Sequence, residues 1–345
     1  MIHTMVAAAG LRAGATCLAS NTSSDVPDAP APRPIRMKDT SATPIPPAVA
    51  SAMLHPAPPS SYTVFLAGCN FKCLNCQNWR ISCHPDIDFG IRGFVDPAAL
   101  AAECIDRLHS VDARLIGADR IFFSGGAPGI HLPYVEAVVR EARRLVPGTT
   151  VNFDTNGYLT EESFERVLAF ATSVTFDLKA FDDEVHRALT GATSAPVLRN
   201  AEHIGKNHKA QLWEYRILVV PDITDGEVPA MCRFIASIDP SLPVRLLAFR
   251  PNYVLERHPG ADAALMERCL QLAREAGLVN VHWSGHTGLE GTVTTESHPG
   301  LDTSLNNPAA RRATAYARGA GCVTTPRDCG TCTPSCGMRN FVPSR

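Results

Sequence analysis

The chain has 345 residues, of which 45% are hydrophobic and 19% charged, and this balance excludes a disordered or fibrous protein. With 32 Lys and Arg against 34 Asp and Glu the net charge is −2, so electrostatic attraction to nucleic acid or membranes is not expected. No apolar run reaches the ~20 residues of a membrane-spanning helix, and we expect a cytoplasmic protein. Twelve cysteines in so long a chain indicate metal ligands before disulfides.

Residues 1–60 are rich in Ala, Pro, Ser and Thr and contain almost no aromatic side chains. Because this composition cannot bury enough apolar surface to form a core, we predict a flexible leader. A signal peptide is a weaker alternative, since no positively charged region precedes the short apolar run Met5–Leu11. A translation start at Met37 or Met53 is a third alternative.

From Tyr62 onwards, short apolar runs alternate with amphipathic segments. Most runs are continuous, as expected for strands that are buried on both faces. Alternating strands and helices predict a parallel α/β sheet, and six or seven such units favour a partial (β/α)6 barrel over a doubly wound sheet. We assign the barrel to residues 61–290 and a cysteine-rich extension to 291–345. The predicted strands are Tyr62–Ala67, Arg120–Ser124, Val151–Asp154, Val174–Leu178, Trp213–Val220, Val244–Phe249 and Val279–Trp283.

Helical periodicity between these strands predicts four helices. Thr160 is a candidate N-cap for the predicted helix Glu161–Ala171, which has two acidic residues in its first turn. The predicted helices are Pro133–Val146, Glu161–Ala171, Asp96–Leu108 and Asp262–Ala276.

Three cysteines follow the first predicted strand directly. Cys69, Cys73 and Cys76 have the spacing C-x3-C-x2-C. Three thiolates on one loop can ligate three irons of a [4Fe-4S] cluster and leave the fourth iron open to a small molecule. A structural zinc site would prefer four ligands, and Cys83, which follows Cys76 by seven residues, is a poor fourth candidate.

This motif at this position resembles the radical S-adenosylmethionine (SAM) superfamily. More narrowly, the chain is similar to activating enzymes of glycyl-radical enzymes, of the pyruvate formate-lyase activase type, and to AmmeMemoRadiSam-type proteins. The likeness extends over about Tyr62 to Trp283. It implies a radical SAM barrel, a [4Fe-4S] cluster and SAM as cofactors, and a reducing protein such as flavodoxin or ferredoxin as partner.

Two glycines end the second predicted strand, in Ser124-Gly125-Gly126-Ala127. Glycines at this position let a ligand approach the backbone closely, although Gly-Gly after a strand is also a common turn. The resemblance implies that Gly125 and Gly126 belong to the family's GGE-type motif, whose backbone oxygens hold the amino group of SAM. Ala127 stands where the family usually has an acidic residue.

Two carboxylates and a lysine follow the next two predicted strands. Because β/α barrels place their chemistry at the C-terminal ends of the strands, we expect Asp154, Asp177 and Lys179 to meet at one mouth. The resemblance implies that both aspartates help to bind a monovalent cation beside the SAM carboxylate and that Lys179 contacts SAM. It also implies SAM contacts for Arg216 and for Asn78.

Two positions depart from the family pattern. Asn75 stands where the family usually has an aromatic residue, just before the third cysteine. Arg250 follows the sixth predicted strand, where activases carry a SAM-binding histidine, so Arg250 could take over that contact or bind substrate. Together with Ala127, Asn75 leaves a degenerate paralogue as an alternative.

Four more cysteines lie close together near the end of the chain. They could ligate an auxiliary iron–sulfur cluster, ligate a structural zinc ion, or be disulfide-bonded or disordered. They are Cys322, Cys329, Cys332 and Cys336.

The remaining cysteines and histidines suggest no site. Cys104, Cys232 and Cys269 sit singly in helical patterns and are expected in the core. We interpret His282 and His286 as structural or surface residues.

The resemblance implies reductive cleavage of SAM into methionine and a 5′-deoxyadenosyl radical, which removes a hydrogen atom from a substrate. It suggests a glycine of a partner protein as that substrate. No side chain is required as a general base for the cleavage. The alternative is a non-catalytic iron–sulfur or zinc protein that relays electrons or binds partners, although such a protein would not need the SAM-matching residues.

Overall fold

A computed structural model of the chain describes residues 47–82, 91–285, 287, 303–330 and 336–343. One eight-stranded sheet forms its centre, and the strands lie side by side in chain order. β1 pairs antiparallel with β2, and each later pair of neighbours is parallel. The strands are β1 Val49–His55, β2 Ser61–Leu66, β3 Arg120–Gly125, β4 Thr150–Thr155, β5 Ser173–Leu178, β6 Leu212–Val219, β7 Val244–Ala248 and β8 Val281–Ser284.

Helices connect the parallel strands. Consecutive strand order is the arrangement of a β/α barrel, whereas a doubly wound sheet reverses its order at a switch point. The predicted α/β fold with a partial barrel is therefore confirmed. The helices are α1 Trp79–Ser82, α2 Pro97–Leu108, α3 Val111–Ile116, α4 Leu132–Leu145, α5 Glu161–Phe170, α6 Asp183–Thr190, α7 Ala195–Asn207, α8 Val228–Ile238, α9 Ala263–Glu275 and α10 Pro308–Gly319.

The seven predicted strands are present as β2 to β8. Their continuous apolar runs are buried, as Phe123 of β3 and Phe153 of β4 show by their complete loss of exposure. The predicted N-cap is also present, because the Thr160 hydroxyl accepts a hydrogen bond from the Ser163 N–H at the start of α5.

Strand β1 was not predicted from the sequence. It lies within the segment assigned to the leader, and it joins the sheet by backbone pairing with β2. Only Val49 and Ala50 of its seven residues are buried, so an apolar pattern does not reveal it. Residues 1–46 of the predicted leader lie outside the described residues.

The described part of the C-terminal extension packs on the barrel. α10 contacts α6, and its Tyr316 hydroxyl lies 2.8 Å from the Nδ1 atom of His258. Ahead of α10, the Glu184 carboxylate of α6 accepts hydrogen bonds from the backbone N–H groups of Asn306 and Asn307. The assignment of residues 291–345 to a separate unit stays a prediction, but these contacts attach the extension to the wall of the barrel.

Candidate active site

The cysteine segment Cys69–Cys76 begins three residues after β2 and is held by backbone hydrogen bonds from both sides. The N–H groups of Lys72 and Leu74 donate to the Thr190 and Leu189 carbonyls, at 2.8 and 3.0 Å, where α6 ends. The Leu74 carbonyl accepts from the Leu255 N–H at 3.3 Å. These bonds anchor the segment at the C-terminal ends of the strands, as predicted.

Cys69, Cys73 and Cys76 are free thiols. Burial raises the pKa of Cys69 to about 11, and burial likewise raises the pKa of Cys73. Lys179 opposes both shifts by its positive charge. Thiols in this environment are protonated at neutral pH unless a metal ion displaces the protons, so the donor set is chemically suited to metal binding.

The spacing of the three sulfur atoms fits a cluster better than a single ion. Among the described residues, the one group of three possible ligands whose ligand atoms lie within 4.8 Å of one another is Glu165, His203 and His208. At least two of the sulfur atoms of Cys69, Cys73 and Cys76 therefore lie more than 4.8 Å apart. In a tetrahedral zinc site with 2.3 Å bonds they would stand only about 3.8 Å apart.

The glycines that end β3 allow two backbones to approach closely. A Cβ atom on Gly126 would lie 1.8 Å from the Gly68 carbonyl oxygen, and one on Gly125 would lie 2.4 Å from backbone atoms of Leu66. In this arrangement the Gly126 N–H donates to the Leu66 carbonyl at 2.8 Å. The Asn78 side chain donates to the Gly125 carbonyl, also at 2.8 Å. Three residues predicted to contact SAM thus meet beside the cysteine segment.

Four charged residues predicted to serve the site converge at the ends of β4 and β5 and on the neighbouring strand β6. Lys179 Nζ donates to Asp177 Oδ2 at 2.8 Å. Arg216 Nη1 lies 3.6 Å from Asp154 Oδ1, and the Ser124 hydroxyl donates to Asp154 Oδ2 at 2.7 Å. The predicted convergence of carboxylates and cations at one mouth is what the structure shows.

Asp154 keeps one carboxylate oxygen without a hydrogen bond. Its Oδ1 atom is buried and has the Arg216 guanidinium as an ion-pair partner but no hydrogen-bond donor. Burial raises the pKa of Asp154, Arg216 opposes that shift, and Asp177 adds to it. An anionic oxygen in this situation can bind a further cation, so the residues fit the predicted monovalent cation, which stays a prediction.

Several supporting residues were missed from the sequence. The Asn156 amide donates to Asn70 Oδ1 at 2.7 Å, and the Asn70 amide donates to the Tyr158 carbonyl at 2.8 Å. The bond from Asn156 joins the chain after β4 to the cysteine segment, and only the fold reveals it. The Trp79 and Tyr253 rings stack with centroids 5.3 Å apart.

The structure also gives the positions of most of the other residues named from the sequence. Asn75 is buried within the cysteine segment, and His282 is exposed. Arg250 lies just beyond β7, where its carbonyl accepts from the Asn252 amide at 2.6 Å. Cys104, Cys232 and Cys269 are buried, as predicted. Three further predicted residues, Cys83, His286 and Cys332, lie outside the described residues.

The Radical SAM superfamily model matches residues 63–235, which contain the cysteine segment, both glycines and all four charged residues. The chain belongs to the radical SAM superfamily. As a member of that superfamily it is an enzyme, and the family implies a [4Fe-4S] cluster and SAM.

Relatives whose names give an activity are activating enzymes. The chain is 28% identical to an isethionate sulfite-lyase activating enzyme of Oleidesulfovibrio alaskensis over 47% of its own length and 53% of the relative's. It is 26% identical to a putative glycyl-radical enzyme activating enzyme of Methanocaldococcus jannaschii, over 54% of this chain and 66% of the relative. The chain thus spans between half and two thirds of the length of these relatives. The predicted resemblance to activating enzymes is confirmed.

The alignment with a solved domain of a pyruvate-formate lyase-activating enzyme from Bacteroides vulgatus covers 49% of this chain and all of that domain, with 17% identity and a TM-score of 0.40. Within the described residues, no helix combines the length and the apolar character needed to cross a membrane.

Replacing Gly126 by alanine should destabilise the protein. The new Cβ atom would collide with the Gly68 carbonyl, a backbone atom that cannot turn away. We expect the free energy of unfolding of the metal-free protein, measured in urea, to fall by about 3 kcal/mol. Gly226→Ala is the matched control, because nothing lies within 4 Å of its added Cβ atom, and it should change that free energy by less than about 1 kcal/mol. Equal stability of the two variants would contradict the packing described above.

Proposed function

We propose that this enzyme holds a [4Fe-4S] cluster on Cys69, Cys73 and Cys76 and cleaves SAM reductively. The observation that carries the proposal is the convergence of these three thiols with the Gly125–Gly126 backbone and with a half-buried set of two carboxylates and two cations. When bound, the cluster and SAM would supply one-electron cleavage of a carbon–sulfur bond, and the resulting 5′-deoxyadenosyl radical would take hydrogen from the substrate.

The β3 end supplies hydrogen-bond acceptors for the SAM amino group. The Gly125 carbonyl already accepts one hydrogen bond from Asn78, and a carbonyl oxygen has a second lone pair for an ammonium. Because Gly125 and Gly126 carry no side chains, a ligand can approach their backbone directly. Asn78 orients the carbonyl that the ligand would meet.

The charged group supplies the complement to the SAM carboxylate. Although burial disfavours its charged form, the neighbouring Asp177 and Cys73 hold the pKa of Lys179 above its usual range. Lys179 therefore remains an ammonium at the mouth of the barrel. Arg216 lies beside it as a second cation whose Nε atom is positioned by Glu214 at 3.0 Å. Either cation can donate to a carboxylate.

Each cysteine of the first segment should be required for SAM cleavage. After anaerobic reconstitution with iron and sulfide, followed by dithionite and SAM, the unaltered protein should form 5′-deoxyadenosine. Cys69→Ala, Cys73→Ala and Cys76→Ala should each abolish it, because each removes a cluster ligand. Cys232→Ala, at a core position of α8 that is remote from the cysteine segment in the chain and fully buried, should retain it. Product formation in any of the three variants would refute the site, and its absence in the unaltered protein would favour the non-catalytic alternative.

Lys179→Ala and Asp177→Ala should weaken SAM binding while leaving the cluster absorbance intact. Lys179→Ala removes a charge-assisted hydrogen bond to the SAM carboxylate, and Asp177→Ala removes the carboxylate that positions the Lys179 ammonium. A loss of this kind costs ~1.5–3 kcal/mol, which is roughly ten- to a hundred-fold in affinity. Lys209 and Asp239 form a comparable ion pair on the surface, so Lys209→Ala and Asp239→Ala are the matched controls. Equilibrium binding of SAM by the reconstituted proteins measures the effect. Unchanged dissociation constants for both site variants would rule out this placement.

We further propose that the substrate is a glycine of a partner protein. A flavodoxin or ferredoxin would deliver the electron that reduces the cluster. The similarity to activating enzymes supports this choice. The test incubates the reconstituted enzyme and SAM with a purified glycyl-radical enzyme and records the electron paramagnetic resonance spectrum. We expect a glycyl radical, absent when the partner's radical-site glycine is replaced by alanine. Formation of 5′-deoxyadenosine without a glycyl radical would support SAM cleavage and contradict the proposed substrate.

A further inference from the structure

Cys329, one of the C-terminal cysteines, is attached to the same end of α6 that anchors the active-site cysteines. Its backbone N–H donates to the Gly191 carbonyl at 2.9 Å. Gly191 has a φ of +80°, and a Cβ atom there would lie 2.2 Å from Cys329 Sγ. The preceding residue, Thr190, accepts the hydrogen bond from Lys72 of the cysteine segment. One short stretch of chain therefore contacts both groups of cysteines.

Two glycines bring Cys322 and Cys336 together. A Cβ atom on Gly337 would lie 2.6 Å from the Gly321 carbonyl oxygen, and one on Gly321 would lie 2.9 Å from the Gly337 carbonyl carbon. This backbone contact places the adjoining cysteines beside each other. Arg327 Nη2 lies 3.5 Å from Cys329 Sγ and 3.9 Å from the sulfur of Met338, which follows Cys336 by two residues. Cys329 is therefore close to the region in which Cys322 and Cys336 meet.

Arg327 lies between the two groups of cysteines and has no exposure to solvent. Its Nη1 atom donates to the Ala188 and Leu189 carbonyls at 2.7 and 3.1 Å. Its Nη2 atom donates to the Lys72 carbonyl at 2.8 Å and lies 3.5 Å from Cys329 Sγ. Within the described chain, these carbonyls and sulfur atoms surround the guanidinium, and no carboxylate forms a salt bridge with it.

A fully buried positive charge is costly unless an anion lies close to it. Carbonyl dipoles satisfy hydrogen bonds but carry no net charge, and the Nε atom of Arg327 is buried without any hydrogen-bond partner. Thiolates that are held by a metal remain anionic. Cys329, whose Sγ atom lies 3.5 Å from Arg327 Nη2, is in position to supply this charge.

We propose that Cys322, Cys329 and Cys336 ligate a second iron–sulfur cluster, whose thiolates balance the charge of Arg327. At least two of their sulfur atoms lie more than 4.8 Å apart. A single tetrahedral zinc ion would need them about 3.8 Å apart, whereas each ligand of a cluster binds a different iron. Cys332, the fourth predicted ligand, lies outside the described residues.

The test measures iron, acid-labile sulfide and zinc in the full-length chain after anaerobic reconstitution. We expect about eight irons per chain in the unaltered protein, and about four in the combined variant Cys69→Ala, Cys73→Ala and Cys76→Ala. Four irons retained there would identify the second cluster whether or not the enzyme cleaves SAM. A combined variant without iron would overturn the proposal.

Single substitutions then identify the ligands. Cys322→Ser, Cys329→Ser and Cys336→Ser should each lower the iron content by about four, whereas Cys232→Ser and Cys269→Ser should not change it. Mössbauer spectra of the unaltered protein enriched in 57Fe provide a measurement that does not depend on how the variants fold. Two distinguishable cubane populations are expected. A single population, or loss of about one zinc instead of iron in the serine variants, would overturn the assignment.

Discussion

The close contact between the end of β2 and the end of β3 is the constraint on which the rest of the site depends. The Gly68 carbonyl occupies the space where any side chain on Gly126 would begin. This contact brings the cysteine segment against the strand end that would meet SAM. Because backbone atoms make it, its geometry cannot adapt by changing a rotamer, and the Asn78 bond to Gly125 closes the same arrangement from the other side.

The charges of the site form a second level of organisation. Asp154, Asp177, Lys179 and Arg216 are partly or fully withdrawn from water, and each of them is near a group of opposite sign. Isolated charges would be expensive at this depth, so they are present as a network. A network built in this way is already ordered before a zwitterionic ligand arrives, which reduces the reorganisation that binding requires.

The C-terminal extension contributes to the active-site loop through one buried side chain. Arg327 links the Lys72 carbonyl to the carbonyls at the end of α6. The loop that would carry the cluster is thus held by α6, by the residues after β7, and by a residue more than 250 positions away in the chain. The extension is in this respect a structural part of the barrel mouth.

The local sequence was sufficient to predict the parallel strands, the cap at Thr160, the cysteine segment and the charged residues at the strand ends. Each of these follows from short-range rules, since burial on both faces requires apolar runs and ligand spacing is visible within a few residues. Strand β1 was not predicted, because backbone pairing with β2 orders it and no apolar pattern marks it in the sequence. The tertiary structure alone revealed the Gly68–Gly126 contact, the Asn70–Asn156 bond and the burial of Arg327. Each of these joins residues that are distant in the chain, and the propensities of one segment carry no information about which other segment it will meet.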